Sequence, residues 1–224
     1  MSASTREAVL GRIRRSNGAR PNDPERRRIV EERMAGAPVG IVPQRGQLPQ
    51  DEQVALFIRM AERANATTAR IAGYGDLAGE VSRWLRENNF PADLRMSEDP
   101  RFADADFDAT SLTIRKGVSD GEDLNGLSHA ETAIAETGTL VLVSGPENPT
   151  SLNFLPENHI VVVKADSIGG EMEAVFPMLR ARYGKGEMPR SLNFVTGPSR
   201  SGDIEQTLLL GAHGPRALHI VIVD

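Results

Sequence analysis

Three short runs of almost unbroken apolar residues, TLVLV at 139–143, HIVVVKA at 159–165 and ALHIVIV at 217–223, constrain this chain more than any other feature. A strand with one face in water alternates apolar and polar residues, so a run that does not alternate is buried on both faces. Shorter candidate strands read as TTARIAG, ADLRM, TSLTIRK and SLNFVT. Between them lie stretches of helical period: DEQVALFIRMAERANAT with Val54, Phe57, Ile58 and Ala61 on one side, DLAGEVSRWLRENN, EMEAVFPMLRARYG and DIEQTLLLG. Doubly buried strands separated by helices predict an α/β fold, a Rossmann-like, open, mostly parallel sheet flanked by helices. In such a sheet ligand sites are expected at the carboxyl ends of the strands.

The first fifty residues read differently. Ser4 and Glu7 stand at capping-box spacing ahead of Val9, Leu10 and Ile13, and Asn17-Gly18 supplies a stop. A second helix opens at Asp23-Pro24, and APVGIVPQRGQLPQ then breaks regular structure with three prolines and two glycines. Residues 1–50 are therefore expected to form a helical arm and linker, and 51–224 the α/β domain. Arms of this kind pack on their own body or on a second subunit, so a homo-oligomer is among the expected assemblies.

Residues 1–36 carry nine arginines against five acids, whereas the remainder carries 17 bases against 26 acids. Acids are interleaved with the arginines and stacking aromatics are missing, so nucleic-acid binding is not expected. Cysteine is absent from all 224 residues. This excludes disulfides, a cysteine nucleophile, thiolate zinc sites and any iron–sulfur cluster held by the chain's own thiolates. No run approaches the roughly 18 apolar residues of a membrane span, and the opening residues lack a signal-type apolar stretch. A cytoplasmic location is the expectation.

Three segments hold residues suited to chemistry. In IAETGTLVLVSGP, Glu136 precedes a strand and is followed by Thr137, Gly138 and Thr139, presenting a carboxylate and two hydroxyls at a glycine turn. The carboxylate is a candidate acid, base or nucleophile; the structural alternative is that it caps or ion-pairs a loop. In SLNFVTGPSRSGDIEQTLLLG, Thr196, Ser199, Arg200 and Ser201 lie before a helix expected to open at Asp203, with Glu205 in its first turn. A helix start with hydroxyls and a guanidinium suits an anion, although Asp203 and Glu205 equally serve as helix caps. In GAHGP, two glycines flank His213. His129 is a weaker candidate, and His159 and His219 read as core. The tetrapeptide SLNF, present at 151–154 and 191–194, reads as coincidence. No HExxH or similarly tight spacing unites His213, His129, Asp203 and Glu136, and no GxSxG elbow supports a Ser199–His213–Asp203 triad, so no metal is expected.

Taken together, AIAETGTLVL, LPENHIVVV, FVTGPSRSGDIE and GAHGP resemble the lactate-utilization (LUD) domain family, in order and spacing over roughly residues 65–224. His129 and Glu131 put unusual polar groups at the turn ahead of IAETGT. The resemblance implies a fold of the type shared by ribose-5-phosphate isomerase and CoA transferases. It also implies a part in the bacterial oxidation of L-lactate to pyruvate alongside iron–sulfur partner proteins, with no cofactor on this chain.

On this reading Glu136, His213 and Asp203 are the candidate catalytic residues. Thr137, Thr139, Thr196, Ser199, Arg200, Ser201 and Glu205 are expected to contact a small carboxylate. Two other readings stay open: a stand-alone isomerase or CoA-transferase-like enzyme using Glu136, and a non-catalytic anion-binding scaffold or sensor.

Overall fold

The structure, a computed structural model, describes residues 3–18, 23–204, 207–211 and 213–224, with the backbone alone at 3–4, 201–204 and 207–210. The chain divides into two compact units, residues 1–41 and 42–224. The first contains α1 (Ala3–Ser16) and α2 (Pro24–Gly36). Helix α2 starts where the sequence supplies its cap: the Asp23 carboxylate accepts from the N–H groups of Glu25 and Arg26, and Pro24 occupies the first turn, where its missing N–H costs nothing. Residues 42–50, expected with the arm, belong to the second unit, where Gly46 is buried in a short 3-10 turn.

The second unit runs α3 (Gln50–Arg63), β1 (Thr67–Ile71), α4 (Leu77–Glu87), β2 (Asp93–Met96), β3 (Thr113–Lys116), β4 (Asn125–His129), β5 (Thr132–Ile134) and β6 (Thr139–Val143). It continues with α5 (Ser151–Phe154), β7 (Asn158–Lys164), β8 (Ile168–Gly169), α6 (Val175–Tyr183), β9 (Leu192–Val195), β10 (Arg200–Ile204), β11 (Thr207–Leu210) and β12 (Ala217–Val223). Six strands form one sheet in the order β1-β12-β7-β4-β2-β3, parallel at every pairing. The expected open parallel sheet is thus present.

The unbroken apolar runs are explained by the pleat, which sends alternate residues to opposite faces. Ile160 and Val162 of β7, with Val221 and Val223 of β12, join Leu77, Val81, Trp84 and Leu85 of α4 in one core. Val161 and Val163, with Ile220 and Ile222, join Val54, Phe57 and Ala61 of α3 and Leu140 and Leu142 of β6 in another. A third cluster places α6, through Val175 and Leu179, against Val141 and Ile134.

Two expectations are corrected, and one strand is added. TLVLV does not enter the parallel sheet: β6 is a central strand of a second, mixed sheet, β8-β5-β6-β9, pairing antiparallel with β5 and β9. It is fully buried all the same, because the first sheet and α3 cover one face and α6 the other. Within DIEQTLLLG the described residues are not helical: 203–204 and 207–210 lie on the antiparallel pair β10 and β11. A run of three leucines, 208–210, is too short for period to separate strand from helix, and the cap signal at Asp203 favours the helix that the backbone does not form. The buried strand β4, NGLSH, was not among the candidate strands: Leu127 is its one large apolar residue, and its polar groups are paired inside the fold. Asn125 donates to Pro91 O and Asp93 O, and Ser128 bonds His159.

Candidate functional site

A cavity of about 310 Å³ gathers two of the three motif segments. Its wall includes Thr196, Gly197, Ser199 and Arg200 after β9, and His213, Gly214 and Pro215 ahead of β12. It also includes His159 and Leu218, the second residues of β7 and β12. The cavity therefore lies at the amino ends of these parallel strands, opposite to the carboxyl ends where the fold led a site to be expected.

Glycine holds the first two motif segments in place. Gly138 and Gly197 have φ of 67° and 69°, in the left-handed region. A Cβ on Gly138 would press into the backbone of Met60 and Ala61, and one on Gly197 into the carbonyl of Ala64. The glycines of TGT and TGPS thus let two loops close onto the end of α3. The Arg200 guanidinium donates to the same Ala64 carbonyl. On the other side, Ser199 N–H donates to Pro215 O at 2.8 Å and Gly211 N–H to Ser199 O at 3.0 Å, tying TGPS to GAHGP.

These bonds alter the anion argument. Asp203 lies on β10 and starts no helix, so the anion argument from a helix dipole there falls, and the Ser199 N–H is already spent on Pro215. Ser201 and Asp203 lie on β10; their side chains, and Glu205 altogether, fall outside the described residues.

Glu136 and His213 are not brought together. Glu136 does not line the cavity; it is 5% exposed, and its carboxylate accepts from Met172 N–H at 3.3 Å and faces Arg45 Nε at 3.4 Å. That is a loop-fixing position. His213 is exposed at the cavity wall. What connects the IAETGT segment to the cavity is a chain of hydroxyls: Thr137 Oγ1 lies 2.7 Å from Thr139 Oγ1, which lies 2.6 Å from Thr196 Oγ1. Of these, Thr196 alone reaches the cavity wall.

Two wall residues escaped the sequence reading. Asn153, in the SLNF dismissed as coincidence, is 1% exposed, and neither its amide nitrogen nor its oxygen has a partner. His159, taken as core, bonds Ser128 Oγ through Nε2 at 2.7 Å and leaves Nδ1 unpartnered. Burial pushes this imidazole down to about 3, so it is neutral at physiological pH. Buried polar atoms without partners are costly, and these belong to residues on the wall of a cavity that has room for a hydrogen-bonding ligand. The available signal was an Asn in an otherwise apolar turn, six residues before a His that opens a buried strand.

Among known proteins, the LUD domain family model matches residues 124–223, which span β4 to β12. The chain is 34% identical over 183 residues to a protein of Geobacillus thermodenitrificans named lactate utilization protein C, covering 73% of this chain and 70% of that one. It is 36% identical over 141 residues to the protein of that name in Halalkalibacterium halodurans, covering 56% of this chain and 60% of the relative. A crystal structure of a DUF162 family protein from Deinococcus radiodurans superposes with a TM-score of 0.56 at 21% identity, covering 79% of this chain and 99% of that one; this likeness shows the fold. With the motif loops converging as described and the identity extending over most of both chains, the protein belongs to the LUD domain family.

Proposed function

We propose that this chain is a component of a bacterial L-lactate utilization system and acts with iron–sulfur partner proteins in taking lactate to pyruvate. The supporting observation is the 34% identity that spans 70% of a relative named for lactate utilization. Converting the hydroxyl carbon to a ketone releases two electrons and two protons. A chain without cysteine has no thiolates to ligate a cluster, so the electrons pass to iron–sulfur clusters of the partners. We place the assembly in the cytoplasm.

On this reading the motif cavity holds the hydroxy acid. The Thr196 and Ser199 hydroxyls, the Asn153 amide and His159 Nδ1 offer hydrogen bonds to its oxygens. Arg200 adds the guanidinium donors not given to Ala64, and His213 at the exposed wall accepts a proton. Glu136 serves by fixing the turn that carries Thr137 and Thr139, not by touching the substrate. Asp203 and Glu205 stay candidates for the same cavity through their place on and after β10.

The test is lactate oxidation by the purified chain alone and then with the iron–sulfur proteins of such a system. Turnover is expected only from the complete set, and Ser199→Ala with His213→Ala should lower it. Full turnover by the isolated chain would overturn the proposal.

A further inference from the structure

The strand order places a second crevice at the other end of the parallel sheet. From β2 the chain steps outward to β3, then back to β4 and onward through β7 to β12. The order reverses between β2 and β4, and the carboxyl ends of strands at such a reversal leave an open crevice above the sheet. A cavity of about 500 Å³ lies there, lined by the segment after β2, by His129 at the end of β4, by the loop after β6 and by the end of α6. None of its residues belongs to the motif cavity.

Its wall is built of opposed charges. The Arg101 guanidinium grips Asp99 through two bonds, at 2.8 and 2.5 Å, and also faces Glu131 at 3.7 Å. Glu131 is in turn paired with Arg182, and Glu147 is exposed at the rim. A simple anion would face the carboxylates of Asp99, Glu131 and Glu147; a simple cation would face the guanidinia of Arg101 and Arg182. A wall of both signs matches a molecule that carries both.

An unpartnered group points the same way. Asn148 is 7% exposed and lines the cavity. Its amide nitrogen donates to His129 O and Val143 O, each at 3.2 Å, while its Oδ1 has no partner. A buried acceptor with its donors already committed calls for a hydrogen-bond donor from a ligand. The imidazole beside it is held neutral, pushed down to about 4 by burial and by Arg101, and adds no charge. Its Nδ1 lies 2.6 Å from Ala130 O, so Nδ1 carries the proton, and Nε2 accepts from the Tyr74 hydroxyl at 2.7 Å.

We infer that this crevice is a second binding site, for a small zwitterion of the α-amino acid class. Its ammonium group would lie toward Asn148 Oδ1 and Glu147, and its carboxylate toward the guanidinia of Arg101 and Arg182. The site stands independently of the lactate reading, since L-lactate lacks the ammonium group.

The experiment is isothermal titration of the full chain with each common L-amino acid, L-lactate, and the des-amino acid and the amide of any amino acid that binds. Saturable binding of at least one amino acid is expected. Its des-amino and amide analogues should bind at least about tenfold more weakly, as one charge-assisted contact is removed from each. Arg182→Gln, on the half-exposed end of α6, and Asn148→Leu should each weaken binding by about tenfold or more. Ser199→Ala in the motif cavity should leave it unchanged. Where Asn148→Leu fails to fold, Arg182→Gln decides. The inference is overturned if no amino acid binds, if the des-amino acid or L-lactate binds equally well, or if Arg182→Gln has no effect.

Discussion

His159 Nε2 lies 2.7 Å from the hydroxyl of Ser128 on the neighbouring strand, and this bond leaves Nδ1 of a ring at the cavity wall without a partner. One hydrogen bond inside the sheet therefore fixes which nitrogen of a buried ring is left over.

Stability should fall on the acid side through buried neutral imidazoles. Burial holds His159 at about 3, and burial with Arg101 holds His129 at about 4, against an ordinary 6.5. Between those values the unfolded chain binds protons that the folded one refuses. The contribution is complete above about pH 6.5 and is lost as pH falls toward 4 and 3, at up to ~1.4 kcal/mol per pH unit for each group. Urea unfolding at pH 7 and pH 5 measures the slope; His159→Gln, which does not titrate, should make it shallower.

Gly138→Ala and Gly197→Ala should each destabilise by about 2–4 kcal/mol, since both need a left-handed backbone and both would drive a methyl into the end of α3. Gly79→Ala, inside α4 with open space around it, should instead stabilise by about 0.5–1 kcal/mol. Thermal melts of the three variants give the comparison, and equal behaviour would remove the packing explanation for the motif glycines.

Thr139→Val keeps shape and deletes the middle hydroxyl of the Thr137–Thr139–Thr196 chain. A loss of about 1 kcal/mol is expected, with Thr139→Ser near the parent, because its two partners are less buried and can turn toward water. Ligand affinity in the motif cavity should drop in the Val variant through Thr196, as read by titration.

Glu136→Gln should leave stability nearly unchanged, since an amide oxygen still accepts from Met172 N–H, whereas Glu136→Ala strands that donor. Hydrogen exchange at the Met172 amide should quicken in the Ala variant. An acyl adduct on Glu136 after exposure to a CoA thioester would restore the transferase-like alternative that its position outside the cavity argues against.

The parallel sheet and its two covering helices were legible because β7, β12, α3 and α4 each carry a period that only one environment accepts. The strand β4 was not, since Asn125, Ser128 and His129 are satisfied by partners far along the chain, and side-chain pairing across strands leaves no mark on local composition. The antiparallel pair β10 and β11 failed for the opposite reason: a local cap signal was present but no helix answered it. In the site, the motifs named Thr196, Ser199, Arg200 and His213 as neighbours, and they are. Motif adjacency could not tell that Glu136 turns toward Arg45, nor that Asn153 and His159 would stand opposite, because those placements depend on how two sheets stack.

The loops bearing Gly138 and Gly197 come from different strands, yet both rest on the stretch Met60–Ala64. A displacement of that helix end would press on both the turn that carries Thr137 and the loop that carries Ser199, which links α3 to the wall of the motif cavity.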